Sequence, residues 1–405
     1  MGDRSSSRPR NLSTLAVHAG ELVDHGWQSP SSVPIYASSS FVAETPEALE
    51  AIFAGETAGY VYSRHGNPTT AAFERAVALL EGASTARAFS SGMAAIHGAL
   101  LALELRAGDT VLAARDMYGT TLSLLDVIFS SLGVQIVTTS MNDLEAVRQL
   151  CQKVRPRVLL VEVLSNPLLR VVDLPALAEI ARHQNAALLV DSTFATPCLC
   201  RPLNMGATAV IHSITKYLAG HGDVTGGVVA VSEEYAAGLS LLGRLVGGVL
   251  SPFESFLALR GLKTLPLRFE RQSHSAARIA VELEDHPYVK RVYYPGLPSH
   301  PDHDLVQRLF GSFPLGGVLS FEIKRLDREA AFTFLRQLKL VQSATTLGDV
   351  CSLALYPVMS SHRALSSAQR HEAGISDGLI RLSIGLEDPE DILADLDQAL
   401  RGVRI

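Results

Sequence analysis

The sequence predicts an α/β protein with a mainly parallel central sheet, flanking helices and a smaller C-terminal α+β domain. Three observations predict it. From about Asn67, short branched-apolar runs alternate with longer segments of helical period, the pattern of repeated strand-helix-strand units. Beyond Leu250 that alternation gives way to a long helical stretch and then to strands interleaved with helices. The 405 residues are 47% hydrophobic and 19% charged, enough to bury a large core and more than one small module.

The strand candidates of the first part are Thr110 to Ala114, Val134 to Thr138, Val158 to Val163, Ala187 to Asp191, Ala207 to His212 and Gly227 to Val231. Each is a compact run of small or branched apolar residues, as in strands buried on both faces. Between them, Thr69 to Glu81, Met93 to Leu105, Thr120 to Ser131, Leu144 to Cys151 and Leu174 to His183 place apolar residues three to four apart and read as helices. Phe253 to about Glu284 reads as mostly helical, and Tyr293-Tyr-Pro-Gly-Leu-Pro298 as turns. Strands at Gly317 to Ile323 and Leu379 to Ile384 then alternate with helices at Arg328 to Leu338 and Pro389 to Arg401. The chain before Arg64 lacks strong periodicity and carries Ser29-Pro-Ser-Ser-Val-Pro34 and Ser38-Ser-Ser40, which suits an arm that packs on another subunit. The expected division is an arm over 1–64, an α/β domain over 65–265 and an α+β domain over 266–405.

Composition removes several function classes. Lys plus Arg number 35 against 41 for Asp plus Glu, and the formal charge of −6 is spread along the chain, so no stripe for nucleic acid is present. Cys151, Cys198, Cys200 and Cys351 do not make a disulfide framework, and Cys198-x-Cys200 lacks the second pair of a zinc site. They read as small buried residues in a reducing cytoplasm, with no metal site. The polar, basic start Met1 to Arg10 reads as neither signal peptide nor anchor, and Gly2 and Ser6 fit only the loose myristoylation pattern. No apolar run approaches the roughly 18 residues of a membrane span. A Gly-Lys pair is absent, so there is no Walker-type loop. Gly220-His-Gly222-Asp-Val-Thr-Gly226 misses the dinucleotide fingerprint by one position, and Gly374-Ile-Ser-Asp-Gly378 precedes a strand where a nucleophile elbow would follow one. Both read as turns. His300-Pro-Asp-His303 has a ligand-like spacing but reads as a solvated loop.

What remains sits at strand ends, where open α/β sheets bind ligands. Asp191 ends the run Ala187 to Val190, and Ser213-Ile-Thr-Lys216 follows the run Ala207 to His212. A lysine beside an apolar strand end can act as an amine nucleophile, and a buried carboxylate can hold a protonated pyridine nitrogen. Ser90-Ser-Gly-Met93 opens a helix whose N-terminal N–H groups suit a phosphate. Singly, Asp191 could be a cap, Lys216 a surface residue and Ser91-Gly92 an ordinary helix start. Together they suit one cofactor, pyridoxal 5'-phosphate.

The segment His212-Ser-Ile-Thr-Lys-Tyr-Leu-Ala-Gly-His-Gly-Asp223 strongly resembles the cofactor-lysine motif of the Cys/Met-metabolism family of pyridoxal-phosphate enzymes. Tyr62-Ser-Arg-His-Gly-Asn-Pro-Thr69, Phe89-Ser-Ser-Gly-Met-Ala-Ala95, Glu162-Val-Leu-Ser-Asn-Pro167 and Gly378-Leu-Ile-Arg-Leu-Ser-Ile-Gly-Leu-Glu-Asp388 agree with it, in the same order along the chain from about Leu15. The resemblance implies the type I fold of pyridoxal-phosphate transferases. It makes Lys216 the cofactor's covalent anchor and the base for the Cα proton, and Asp191 the partner of the pyridine nitrogen. Gly92, Met93, Ser213 and Thr215 would hold the phosphate, joined by Tyr62 and Arg64 from a neighbouring subunit, which implies a homo-oligomer, expected as a tetramer built from two dimers that share active sites. Tyr118 would stack on the ring and protonate the leaving group, Asn166 would lie near the phenolic oxygen, and Arg381 would clamp the substrate carboxylate. Thr120, Thr345 and Thr346 would complete the amino-acid site.

Within the family, Thr345 stands where cystathionine-handling γ-enzymes often carry a glutamate, and a neutral threonine cannot pair a distal ammonium. Leu347-Gly-Asp349 and the closing motif look more like methionine γ-lyases. Thr120, Gly243-Arg244 and Pro357-Val-Met-Ser-Ser-His362 depart from their usual pattern. The expected reaction is α,γ-elimination of methionine or a close thioether amino acid. The alternatives are cystathionine γ-lyase and γ-replacement by an O-acetylhomoserine sulfhydrylase or cystathionine γ-synthase. A non-catalytic cofactor-binding scaffold has no need of Tyr118, Asp191, Lys216 and Arg381 together.

Overall fold

The structure, a computed structural model, describes residues 11–20, 30–311, 315–363 and 366–403. The basic start, with Gly2 and Ser6, and part of the Ser29 to Pro34 stretch lie outside the described residues. Seven strands form the first sheet: β1 Thr85–Phe89, β2 Thr110–Ala114, β3 Gln135–Thr139, β4 Val158–Glu162, β5 Ala187–Asp191, β6 Ala209–Ser213 and β7 Gly227–Val231. Their order is β1-β7-β6-β5-β4-β2-β3. From β3 to β6 every pairing is parallel, while β7 runs antiparallel to both of its neighbours. Strands β2, β4 and β7 are buried at every residue, which explains why they read as continuous apolar runs rather than alternating ones.

Helices cover both faces. Pro68–Glu81 packs on β1, Gly92–Ala102 on β6 and β7, and Leu174–His183 on β5. The first of these starts where it does because Asn67 accepts the Thr69 N–H at 2.9 Å and Pro68 needs no N–H partner in the first turn. It ends at Gly82, in the left-handed region at φ 70°.

A second sheet, in the order β10-β11-β12-β9-β8, follows the long helix Leu265–Glu284. Its strands are β8 Val289–Tyr293, β9 Val318–Ile323, β10 Gln342–Ser343, β11 Leu353–Leu355 and β12 Leu379–Ser383.

Several elements differ from the sequence reading. β1, Thr-Ala-Arg-Ala-Phe, has little strand propensity of its own, and its pairing with β7 from Thr85↔Val231 to Phe89↔Gly227 supplies the order. The segment before Arg64 contains helices at Leu12–His18 and Pro46–Ala54, too short to show a period. The expected helix Thr120 to Ser131 is regular only over Gly119–Leu124. It widens into a π-helical turn over Leu125–Phe129, which turns both Leu125 and Phe129 into the core, and closes through Ser130–Leu132 at Gly133. Glu233–Val246 is a further helix, lying against Gly92–Ala102.

The loop at His300 is not solvated. Asp302 is buried because its carboxylate takes a two-pronged bond from Arg170, at 2.7 and 2.8 Å, and the Val171 N–H at 2.9 Å. Nor are all the cysteines buried: Cys351 is exposed and Cys198 half-buried. No helix among the described residues is long and apolar enough to cross a membrane.

One buried cation holds the reversal after β6. Arg268, on Leu265–Glu284, donates to the carbonyls of Tyr217 at 2.9 Å, Leu218 at 3.4 Å and Gly261 at 2.9 Å, and to the Thr264 hydroxyl at 3.1 Å. Its hydrogen-bond acceptors among the described residues are neutral, and burial, partly offset by nearby charges such as Asp349, lowers its pKa to about 10. It stays charged at neutral pH and satisfies carbonyls that have no helical continuation. Gly220 makes the approach possible: it sits at φ +72°, and a Cβ there would lie 1.9 Å from the guanidinium Nη1. Gly220→Ala is expected to cost clearly more than Gly55→Ala, since Gly55 has a similar φ of +76° but open space around it. Gly55→Ala should cost about 1 kcal/mol of backbone strain. Denaturant midpoints of the two variants check this, and equal shifts would contradict it.

Candidate active site

Parallel pairing in register brings the C-terminal ends of β4, β5 and β6 to one level. Glu162 pairs with Asp191 across β4 and β5, and Asp191 with Ile211 across β5 and β6. A cavity of about 520 Å³ opens above these ends. Asp191 and Glu162 form its acidic floor, and burial pushes both carboxyls up, Glu162 also through the charge of Asp191. An Asx-type turn follows Asp191, whose Oδ1 accepts the Thr193 N–H at 2.9 Å, and the Thr193 hydroxyl in turn accepts the Ser213 N–H at 2.8 Å. Thr193 thus ties two strand ends together and lines the cavity, a role the sequence reading missed. Its spacing two residues after a strand-terminal aspartate was the available signal.

Lys216 enters the cavity from the reversal that Arg268 holds. Its backbone, at φ −94° and ψ −132°, leaves the helical region inside an otherwise wound segment. Its Nζ donates to the Thr346 hydroxyl at 2.9 Å. Burial, and then the Arg381 charge, lower the pKa of Lys216 to about 8, far closer to neutrality than an exposed lysine.

The cradle beside Lys216 is built from Ser91, Gly92, Met93, Ser213 and Thr215, all on the cavity wall. Ser91 caps the helix Gly92–Ala102 by accepting the Ala94 N–H at 3.0 Å. A Cβ on Gly92 would lie 3.0 Å from the Ser213 Cβ, so glycine keeps the space between them open. Thr215 is locked to Gly226, whose N–H its hydroxyl accepts at 3.0 Å.

The opposite walls come from Tyr118, which follows β2, and from the second sheet. Arg381 on β12 is only 3% exposed, yet among the described residues no carboxylate pairs with it. It donates to Asn166 Oδ1 at 3.1 Å and to the Thr346 carbonyl at 3.0 Å, and its Nε has no partner. Desolvation lowers its pKa to about 10, which leaves it a cation at neutral pH. A buried guanidinium on a cavity wall has the chemistry to receive a carboxylate.

Of the residues singled out in the sequence, Tyr118, Thr120, Asn166, Thr345 and Arg381 line the same cavity as Asp191 and Lys216. Thr346 reaches it through its bonds to Lys216 and Arg381. Tyr62 and Arg64 do not line it. Tyr62 is exposed, the Arg64 guanidinium lies 5.1 Å from its ring centroid, and Arg64 Nε donates to the Arg244 carbonyl at 3.0 Å. Among the described residues no group of three His, Cys, Asp or Glu side chains converges on a metal position.

The donor set fits pyridoxal phosphate: an amine of depressed pKa, a buried carboxyl at a strand end, a glycine-opened cradle at a helix start and a buried arginine on the cavity wall. Comparison with known proteins agrees. The chain is 40% identical over 395 residues, 97% of its length and 98% of the relative's, to L-methionine gamma-lyase of Fusobacterium nucleatum subsp. polymorphum. It is 43% identical over 391 residues, 96% of its length and 94% of the relative's, to O-succinylhomoserine sulfhydrylase of Pseudomonas aeruginosa. The crystal structure of cystathionine gamma-lyase from Lactobacillus plantarum complexed with L-serine superposes with a TM-score of 0.90 at 34% identity, covering 97% of this chain and 99% of that one. The model of the Cys/Met metabolism PLP-dependent enzymes matches residues 13–401, and the chain belongs to that family, with pyridoxal phosphate as its cofactor.

Proposed function

We propose that the protein is a carbon-sulfur lyase that cleaves L-methionine, or a close thioether amino acid, by α,γ-elimination. The carrying observation is the neutral lining opposite the acidic floor. Thr345, Leu347 and Leu355 occupy the wall contributed by the second domain, and Glu162 and Asp191 are the only acids that line the cavity among the described residues. An uncharged methylthio end suits such a wall, whereas a distal ammonium would be buried there without a counter-ion.

Pyridoxal phosphate, when bound, supplies an aldehyde for the substrate amine and a ring that withdraws electrons from the substrate carbons. Arg381, a cation on the cavity wall, holds the α-carboxylate. Asp191 keeps the proton on the ring nitrogen. Lys216, once released, takes the Cα proton, and its low pKa leaves a useful fraction as free amine near neutral pH. A second proton leaves Cβ, the Cγ–S bond breaks, and Tyr118 protonates the departing thiolate. Water then completes the balance: methionine plus water gives methanethiol, 2-oxobutanoate and ammonia.

The relatives named above divide between elimination and replacement at similar identity, so γ-replacement on an O-acylhomoserine is the second reading, followed by cystathionine γ-lyase activity. We place the working enzyme in the cytoplasm as a homo-oligomer, a tetramer built from two dimers. In it the arm over 1–64 brings Tyr62 and Arg64 to the cradle of a neighbour's 65–265 domain, closed by 266–405. The exposed positions of Tyr62 and Arg64, away from their own chain's cavity, support this.

With pyridoxal phosphate added, methionine should yield 2-oxobutanoate and methanethiol in a panel that includes cystathionine, cysteine and O-acetylhomoserine with and without thiol; no product from methionine refutes the reading. Thr345→Glu should shift the kcat/KM ratio toward cystathionine on the order of tenfold, as one partly exposed ion pair allows. Covalent attachment of the cofactor to the apoenzyme, followed by visible absorbance, should accelerate as pH rises, with a midpoint near the Lys216 pKa of about 8. Arg381→Leu removes the neighbouring cation and should move that midpoint upward, and a midpoint above 10 in the unaltered enzyme would contradict it. For the shared site, mixing Lys216→Ala and Arg64→Ala subunits should restore activity that neither shows alone.

A further inference from the structure

Glu162 stands in the site without a part in the chemistry above. It ends β4, is 8% exposed, and lines the cavity next to its register partner Asp191. Its Oε1 accepts the backbone N–H of Tyr118 at 2.8 Å. The peptide N–H of Asn166, in the segment that leaves β4, also faces its carboxyl. One side chain therefore pins two walls of the cavity. Tyr118 has particular need of it. The helix that Tyr118 precedes, Gly119–Leu124, has no side-chain cap, and the Tyr118 amide lies outside that helix's own hydrogen bonding. Asn166 in turn accepts from Arg381, so the same anchor reaches the carboxylate receptor through one further bond.

We propose that Glu162 is a positioning residue that fixes the backbone of Tyr118, and with it Asn166, against the cofactor. What the two amides require is an acceptor, not a negative charge. Two anions side by side on adjacent strand ends would compete for a single pyridinium, and Asp116 adds a third acid nearby. Burial and the Asp191 charge push Glu162 well above the usual carboxylate range, in keeping with an uncharged acid. A carboxamide of the same length should therefore replace it.

The proposal rests on the reading of Tyr118 as the residue beside the cofactor ring, and its test carries a measurement that needs no substrate. Holoenzyme is prepared as wild type, Glu162→Gln and Glu162→Met, the last keeping length but losing the acceptor. The visible circular dichroism of the bound cofactor, its Kd for the apoenzyme, and kcat and KM are then compared. Glu162→Gln should keep the wild-type spectrum and a kcat within about threefold. Glu162→Met should change the visible circular dichroism and lower kcat on the order of 10- to 100-fold with little change in KM, the loss expected from a small misplacement of a reacting group. A Met variant indistinguishable from wild type, or a Gln variant as damaged as Met, overturns the proposal. Should the Met variant fail to fold, the Gln variant still decides: wild-type behaviour supports an acceptor role, and a lost spectrum and activity refute it. If methionine proved not to be the substrate, the spectra and cofactor affinities would still decide whether Glu162 positions Tyr118.

Discussion

Parallel strands that end at one level are the constraint on which the rest of this molecule depends. Because β4, β5 and β6 pair in register, Glu162, Asp191 and Ser213 arrive at the same edge of the sheet, whose neighbouring backbone is fully occupied by ladder hydrogen bonds. Side chains at that edge cannot turn back into a core already filled by apolar residues on both faces, so they point into the cavity. The reversal carrying Lys216 and the helix start at Ser91 open onto the same edge, since β1 runs in the same direction as β6. A ligand that needs an amine, an acid and an anion cradle finds all three within one strand-end layer.

The second feature is a pair of buried cations that make no ion pair among the described residues. Arg268 and Arg381 are both almost fully enclosed, and each is met by neutral oxygens. The two solve different problems. Arg268 directs its donors to carbonyls of the Lys216 reversal and the end of Pro252–Leu262, so its charge is consumed by structure. Arg381 lines the cavity, and among the described residues its Nε has no hydrogen-bond partner.

Much of this was legible in the linear chain. Runs buried on both faces carry their period in composition, which is why β2, β5 and β7 fall where the sequence reading puts them, and Asp191 and Lys216 could be located as strand-end residues. Elements stabilised by partners were not legible. β1 depends on β7, the widened turn over Leu125–Phe129 depends on core packing, and the burial of His300 and Asp302 depends on Arg170, distant in sequence. Cys351 reads as an apolar filler and lies exposed. Thr193 carries no motif, and Glu162 opens one that gives it no role, because their importance lies in which backbone amides face them.

The amino-acid sequence by itself determined the α/β class, the strand-end position of Asp191 and Lys216, the cofactor they suit and the family. Hydrophobic periodicity and short contiguous motifs are local properties, and those conclusions need nothing else. Only the tertiary structure decided that Arg381 is a buried cation with a free donor, that Lys216 leans on Thr346 with a pKa of about 8, and that Tyr62 and Arg64 lie away from their own chain's cavity. Desolvation and distance between residues far apart in the chain set those properties, and neither is written in the order of the residues.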